Sequence, residues 1–175
     1  AMEIDVGLNT TILGNGWGAG TWGRFTWSSG AGSLAGQNLR LWMSDSWGED
    51  LVANIVDGSL YYWDATNGKT TRMVELSTVA GASDVPTTVR KVMVSDTDRH
   101  VLCFGANTIG TATFDPLLIR WSSQESVTDW TPTATNTAGS IRLSQGSEIV
   151  TAVRTTRQIL VFTENSLHSV QFIGP

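Results

Sequence analysis

Short apolar runs alternate with polar turns along most of the chain, and the pattern recurs about every fifty residues. Strand-like runs begin at Leu51, Val101 and Ile149, at intervals of 50 (101 − 51) and 48 (149 − 101) residues. A polar stretch that starts with serine precedes each run, at 44–50, 95–100 and 144–148. A repeat of roughly 40–50 residues in an all-β chain is typical of propeller blades. We therefore predict an all-β fold of blade-like antiparallel β-sheet repeats that form part of a β-propeller.

The same pattern predicts where the strands lie. Asp57 and Gly58 stand between two apolar runs, and an Asp-Gly pair favours a two-residue type I′ turn because both residues tolerate positive φ. We therefore predict a hairpin that pairs 51–56 with 59–63. Further strands are predicted at 71–76, 90–94, 101–104, 117–121, 140–143, 149–153, 159–162 and 167–173. No segment has the periodicity of an amphipathic helix.

An aromatic residue ends the second run of each repeat: Trp63, Trp121 and Phe162. Domains built from β-sheets usually fill their cores with such side chains, because each buries a large apolar area. We predict that these three residues occupy equivalent, substantially buried positions in successive repeats. Truncating one of them to Ala would then cost about 3–5 kcal/mol.

Residues 3–36 differ from the rest and are predicted to form a Gly/Trp-rich arm that precedes a repeat domain at 37–175. The glycines of 15–23 disfavour a helix there, since each weakens one by about 1 kcal/mol. Trp17, Trp22 and Trp27 recur at five-residue intervals in this arm. Because the arm offers little core of its own, we predict that these tryptophans are interface residues that pack on a neighbouring subunit.

Composition and charge restrict the function. Of the 175 residues 41% are apolar and 15% charged, which indicates a globular domain. No apolar run approaches the roughly 20 residues of a membrane helix, so no membrane partner is predicted. The net charge of −5 opposes a protein that grips phosphates but suits a surface that DNA passes without sticking. Cys103, the single cysteine, rules out an intrachain disulfide and is predicted to be a buried apolar residue.

The motifs for ligands and metals are weak. The stretch 18–23 has the letters G-x-G-x-x-G, but no predicted strand precedes it and no helix follows. His100 and Cys103 have the spacing of a metal pair, yet side chains three residues apart on a strand point to opposite faces. Asp96 and Asp98 are typical of a solvated turn, since calcium needs six or more oxygen ligands. We therefore predict no metal and no cofactor.

Catalytic constellations are weak as well. His168 lies in an alternating stretch and is predicted to pack at the edge of a core rather than act as a general base. Glu49 and Asp50 are adjacent in sequence, and nothing indicates an acid/base pair across a cleft. The stretches 44–47 and 122–130 echo the Asp box of sialidases without its spacing. We therefore predict that the protein is not an enzyme.

Long stretches of the chain resemble a family of tailed-bacteriophage virion proteins. These stretches are 39–54, 94–101, 117–125, 129–150 and 157–175, together with the Trp-Gly arm before them. Members of the family are described as phage structural or packaged-DNA stabilisation proteins and are similar to tail hub or nozzle proteins. The resemblance implies β-propellers that assemble as rings. Because family members run on beyond the equivalent of Pro175, we expect the sequence to be part of a longer protein, truncated at its C-terminus.

The resemblance implies a non-enzymatic structural component of a short-tailed phage neck or tail, assembled in the bacterial host cytoplasm and located in the virion. Its partners would be other copies of itself and tail or portal proteins, with DNA passing through without sequence-specific binding. About three blades leave open edges, so we predict self-association through an edge strand or through 17–27, burying more than roughly 1,000 Å². The alternative is a carbohydrate-binding β module that uses exposed tryptophans as platforms.

Overall fold

The computed structural model describes residues 41–95, 98–156 and 158–171. They belong to one compact unit, Arg40–Pro175, and the predicted arm at 3–36 lies outside them. The described residues form eleven β-strands and two short 3₁₀-helices, Ala65–Asn67 and Leu76–Thr78. The strands are β1 (Trp42–Trp47), β2 (Asp50–Ile55), β3 (Leu60–Trp63), β4 (Val74–Glu75), β5 (Val89–Val94), β6 (Val101–Asn107), β7 (Phe114–Trp121), β8 (Gly139–Arg142), β9 (Ile149–Arg154), β10 (Ile159–Thr163) and β11 (Leu167–Val170).

The strands form three sheets in which neighbours in sequence are neighbours in space. Sheet 1 has the order β1-β2-β3-β4, sheet 2 the order β5-β6-β7-β8 and sheet 3 the order β11-β10-β9. Every strand pair is antiparallel, which allows short connections between successive strands. The prediction of an all-β fold built from antiparallel sheets is confirmed.

Two hydrophobic clusters hold the sheets face to face. The first cluster joins sheets 1 and 2 and includes Val52, Leu60, Val92 and Cys103. The second cluster joins sheets 2 and 3 and includes Phe104, Ile119, Ile149 and Val161. Sheet 2 is therefore the middle layer. All seven residues of its strand β6 are buried, because successive side chains point alternately into the two clusters.

A bulge in β6 adjusts which cluster its last residues enter. Gly105 has a φ of +65°, and the register with β7 shifts between Phe104 and Ala106. Glycine takes this left-handed conformation without the steric cost of a side chain. After the bulge, Ala106 belongs to the first cluster together with Cys103. A Cβ at position 105 would also lie 3.2 Å from the Cβ of Arg90, so the position requires glycine for two reasons.

A side chain from sheet 1 forms hydrogen bonds with the backbone groups along the free edge of β5. Asn54 of β2 is fully buried. Its Nδ2 donates to the carbonyl oxygens of Val89 at 2.8 Å and Arg90 at 3.2 Å, and its Oδ1 accepts from the N–H of Val92 at 3.0 Å. Buried backbone groups without a partner are costly. Asn54 therefore supplies the hydrogen bonds that a further strand would make.

The predicted hairpin at Asp57 and Gly58 is confirmed in its pairing, but the predicted turn is wrong. The register between β2 and β3 extends to Asn54↔Leu60. Asp57 has a φ of 58°, and the Gly58 N–H donates to the Ile55 carbonyl at 2.8 Å, so the loop is longer than two residues. The Gly58 carbonyl accepts from the first N–H of β5 at 2.9 Å. The loop is thus shaped by its bond to sheet 2.

The three aromatic residues that end the predicted repeats are half-buried and not equivalent. Trp121 packs against the second cluster, towards sheet 3. Trp63 follows Tyr62, which packs against the first cluster, so Trp63 points away from sheet 2. Phe162 follows Val161 of the second cluster and points away from sheet 2 as well. The prediction that the three positions are equivalent is therefore wrong, as is the core position predicted for Trp63 and Phe162, while Trp121 packs against a core cluster as predicted.

The phase of the predicted repeat explains this error. Leu51 and Val101 lie at the beginning of β2 and β6, the second strands of sheets 1 and 2. Ile149 begins β9, which is the first strand of sheet 3. This pattern predicts a turn in the polar stretch 44–50, but residues 42–47 form the strand β1. Its residues Ser44 and Ser46 are exposed, because only one side of this edge strand packs on the core.

The deeply buried tryptophans lie elsewhere. Trp130 is 1% exposed and Trp47 8% exposed, and both belong to the first cluster. Trp130 comes from the long connection between β7 and β8. Its backbone N–H donates to the Ser83 carbonyl at 3.1 Å and its Nε1–H to the Val127 carbonyl at 2.8 Å. The indole thus closes one end of the first cluster with its polar N–H satisfied.

We expect Asn54→Ala to lower the free energy of unfolding by about 2–4 kcal/mol, because it leaves buried backbone groups of β5 unpaired. Urea denaturation monitored by tryptophan fluorescence measures the change. Asn67→Ala is the matched control, since Asn67 is exposed in a 3₁₀-helix and its loss should cost little. An equal effect of both substitutions would contradict the role assigned to Asn54.

Candidate functional site

The first strands of the three sheets are linked directly to one another, and we call β1, β5 and β9 the inner strands. The carboxylate of Asp45 on β1 accepts from the Val94 N–H on β5 at 2.8 Å. Arg154 on β9 donates to the Val94 carbonyl at 2.6 Å and lies 3.4 Å from the Asp45 carboxylate. One residue at the end of β5 is therefore bonded from both neighbouring sheets.

Two cations on β5, Arg90 and Lys91, also link sheets. Arg90 Nη1 lies 2.6 Å from Glu148 Oε2, and Arg90 Nε lies 3.2 Å from Asp57 Oδ1. Lys91 Nζ donates to the Ala152 carbonyl at 2.6 Å, and partial burial lowers the pKa of Lys91. The inner strands thus carry both signs of charge, and their cations contribute to cohesion between sheets.

A buried ion pair fixes the loops at one end of sheet 2. The side chain of Arg120 on β7 is fully buried, and its Nη2 lies 2.8 Å from the Asp84 carboxylate. The guanidinium also donates to the carbonyls of Asp84 at 2.6 Å and Asn107 at 3.2 Å. Burial lowers the pKa of Arg120, and the Asp84 charge opposes that shift. Because these bonds tie the segments at Asp84 and Asn107 to β7, we assign the pair a structural role.

His100 and Cys103 do not form a metal site. Cys103 is fully buried in β6, and burial raises the pKa of its thiol well above the ordinary value. His100 precedes the strand, and its Nδ1 lies 2.8 Å from the Ser122 carbonyl. Asp98 lies in a turn in which Ser95 Oγ is 3.4 Å from its carboxylate. Throughout 41–95, 98–156 and 158–171, no group of three or more His, Cys, Asp or Glu side chains is placed to hold a metal ion.

A serine and a histidine come within hydrogen-bond distance at the turn between β10 and β11. Ser166 Oγ lies 2.9 Å from His168 Nε2. Nucleophilic catalysis also needs a group that orients the base and donors for an oxyanion. The nearby Glu164 carboxylate instead accepts hydrogen bonds from the Ser147 hydroxyl at 2.7 Å and the Glu148 N–H at 3.0 Å. The pair therefore stabilises a turn, and His168 is half-buried on the core side of β11, opposite Val161.

The surface of sheet 3 that faces away from sheet 2 carries four apolar side chains, next to the polar Thr151 and Ser169 that pair with Phe162 and Leu160. Leu160 and Phe162 of β10 alternate with buried residues such as Val161. Their pairing partners Val153 and Leu167 lie on the same side, because directly paired residues share a face. Val153 is 47% exposed and Leu167 57% exposed. We call Val153, Leu160, Phe162 and Leu167 the sheet 3 outer face.

The surface of sheet 1 that faces away from sheet 2 carries apolar and aromatic side chains, next to the polar Ser46 and Glu75 that pair with Leu51 and Tyr61. Leu51 is paired with Trp63, and both alternate with residues that point into the first cluster. Trp42 is 54% exposed, and its ring centroid lies 5.5 Å from that of Tyr61. We call Trp42, Leu51, Tyr61 and Trp63 the sheet 1 outer face. The stack of three sheets therefore has an apolar patch with polar neighbours at each end.

The three interface residues predicted from the sequence, Trp17, Trp22 and Trp27, lie outside the described residues. The two outer faces were not predicted from the sequence, although one signal for them was present. The run 159–162 is apolar at four consecutive positions, a pattern typical of a strand whose two faces are both covered. Only one face of β10 is covered within the described part of the chain.

Comparisons with known proteins do not indicate a function for this chain. No family model, curated protein or solved structure matches the chain. Within the described ranges, no helix is long and apolar enough to cross a membrane. The features that remain as candidates for function are the two outer faces and the linked inner strands.

We expect the Cys103 thiol of the native protein to resist thiol-specific reagents, because it is fully buried and burial raises its pKa. Absorbance of the released chromophore after addition of an aromatic disulfide measures the rate. The protein should react rapidly only in denaturant, when Cys103 is exposed. The variant Cys103→Ala/Thr135→Cys carries an exposed thiol instead and should react at once. Fast labelling of the native wild type would show that β6 is not buried as described.

We expect Glu164→Gln to destabilise the protein near neutral pH but not in strong acid. Hydrogen bonds from the Glu148 backbone and the Ser147 side chain hold the pKa of Glu164 at about 2, below its ordinary 4.5. Because the pKa of Glu164 is lower in the folded state, the contribution of its carboxylate to the free energy of unfolding is complete above pH 4.5. It is lost as the pH falls towards 2. Urea unfolding across this range measures the difference between variant and wild type.

The matched control is Glu49→Gln, which changes an exposed carboxylate in the turn after β1. Its stability relative to wild type should not follow the same pH window. A Glu164→Gln difference that is constant from neutral to acidic pH would contradict the assignment.

Proposed function

We propose that this chain is a non-enzymatic structural component of the neck or tail of a short-tailed phage, and that it acts through subunit interfaces around the DNA exit channel. The observation that carries the proposal is the pair of apolar outer faces at the ends of the stack. Contiguous apolar surface on a folded domain usually marks a binding surface. The phage context comes from the resemblance of 39–54, 94–101, 117–125, 129–150 and 157–175 to tailed-phage virion proteins.

We also propose that the three sheets are blades of a β-propeller. Antiparallel meanders of three or four strands, stacked face to face, are the units of that architecture. The direct links between β1, β5 and β9 support a common axis on their side of the stack. In a propeller these inner strands would line the central channel.

The charges of the inner strands support a channel through which DNA passes without being gripped. Protein groups already engage Arg90, Lys91 and Arg154, so these cations are less available to phosphates. The net charge of the chain is −5, which adds repulsion between the protein and DNA. A DNA-binding protein would instead present clustered cations to the phosphate backbone.

The test is the composition and architecture of purified virions of the phage whose genome encodes this sequence. We expect mass spectrometry to find the chain at a fixed copy number per particle. Gold-labelled antibodies against it should mark the neck or tail in electron micrographs. Absence of the chain from purified virions would overturn the proposal.

One observation favours a second candidate, a carbohydrate-binding module. Trp42 is 54% exposed and inclined at 51° to Tyr61, and exposed aromatic rings can stack on sugars. A glycan array, with Trp42→Ala as the loss-of-binding variant and Trp42→Phe as the conservative control, tests it. Glycan binding that Trp42→Ala abolishes and Trp42→Phe retains would favour this candidate, and an array without any binding would reject it.

A further inference from the structure

We infer that a second copy of this chain docks its sheet 1 outer face on the sheet 3 outer face, so that the stack of sheets continues from one subunit to the next. The inference rests on the proposed role in assembly and names the partner and the two surfaces. It follows from the direction in which the three sheets of one chain are stacked.

Contacts between the first two inner strands show that they run in the same direction. Asp45, late in β1, accepts a hydrogen bond from Val94 at the end of β5. Asn54 is paired with Met43, early in β1, and bonds to Val89 at the start of β5. Early residues of β1 therefore lie beside early residues of β5, and late residues beside late ones.

The second pair of inner strands is arranged in the same way. Contacts between β5 and β9 follow one order along both strands: Arg90 with Ile149, Lys91 with Ala152, and Val94 with Arg154. In all three sheets the first strands are adjacent and run in the same direction, and the later strands follow in the same order. Each sheet therefore turns the same face towards the next sheet in the stack. Sheet 1 covers sheet 2, and sheet 2 covers sheet 3, in this one sense.

The two outer faces are therefore different halves of one kind of contact. Sheets 1 and 2 each pack one face on the next sheet in the stack, and the sheet 3 outer face is the equivalent face of sheet 3. Sheets 2 and 3 each pack their opposite face on the preceding sheet, and the sheet 1 outer face is the equivalent face of sheet 1. A second copy supplies the missing half at each end and brings apolar side chains against apolar side chains, as in the clusters inside the chain.

Contact between unlike faces has a consequence for symmetry. It is a heterologous contact, which closes into a ring when the rotation between subunits allows it and otherwise continues as an open series. A contact between two copies of the same face would instead give a closed dimer with two-fold symmetry. The two possibilities respond differently when complementary variants are mixed.

Sedimentation velocity of the 175-residue chain over a wide concentration range tests the inference. Leu167→Glu places a charge on the sheet 3 outer face, and Trp42→Glu places one on the sheet 1 outer face. We expect the wild type to self-associate and each variant to associate at least tenfold more weakly. An equimolar mixture of the two variants should restore a dimer that grows no further, because each variant keeps the face that the other has lost.

Ile141→Glu is the matched control. Ile141 is 53% exposed, close to Trp42 and Leu167, but lies on β8 of the middle sheet, so the substitution should leave association unchanged. Circular dichroism checks folding of each variant, and Val153→Glu replaces Leu167→Glu should that variant not fold.

Two results would overturn the inference. One is a wild type that stays monomeric at every concentration, and the other is a mixture of the two variants that stays as monomeric as either alone. Either result would leave the proposed function standing if the chain is found in virions, because the assay measures only association in solution.

Discussion

The architecture depends on the hydrogen bonds that the backbone of β5 receives along its free edge. Beyond the single backbone bond from Val89 to the Gly58 carbonyl, no backbone ladder joins sheet 1 to the free edge of β5, so the other polar groups along that edge need partners from side chains. Asn54 supplies these bonds from sheet 1, and Asp45 and Arg154 meet at Val94 from the two neighbouring sheets. These bonds are directional, whereas the apolar clusters are not. They therefore determine how each sheet is positioned along the next.

The middle sheet shows what such positioning makes possible. All of β6 is buried, so each of its faces must fit a different neighbour. The bulge at Gly105 changes the alternation at one point and thereby directs Ala106 to the first cluster. Arg120 and Asp84 complete one end of this sheet with charge-assisted hydrogen bonds. Apolar burial provides the driving force, and these few polar or conformational features select one arrangement among those that would bury similar area.

Local chemistry was sufficient to predict much of the fold. The Asp57-Gly58 pair located the β2–β3 hairpin, and apolar runs located β6 and β7. What could not be predicted depends on contacts distant in sequence. Asp45 looks like a turn residue because its hydrogen-bond partner is 49 residues away, and Trp130 lies in a polar loop although it fills the core. The outer faces were missed because a continuous apolar run indicates that a strand is covered but not by what.

The layered arrangement makes each sheet a nearest neighbour of at most two others. Stability in such a system is approximately a sum of contributions from single layers and from the contacts between successive layers. Sheet 2 shares a hydrophobic cluster with each of two sheets, while sheets 1 and 3 each share one, and the Arg154–Asp45 ion pair adds a polar link between sheets 1 and 3. The end layers are therefore the ones most prone to local opening. Any partner that covers an end binds the closed form preferentially, so occupancy of an outer face and order in the terminal sheet are thermodynamically linked.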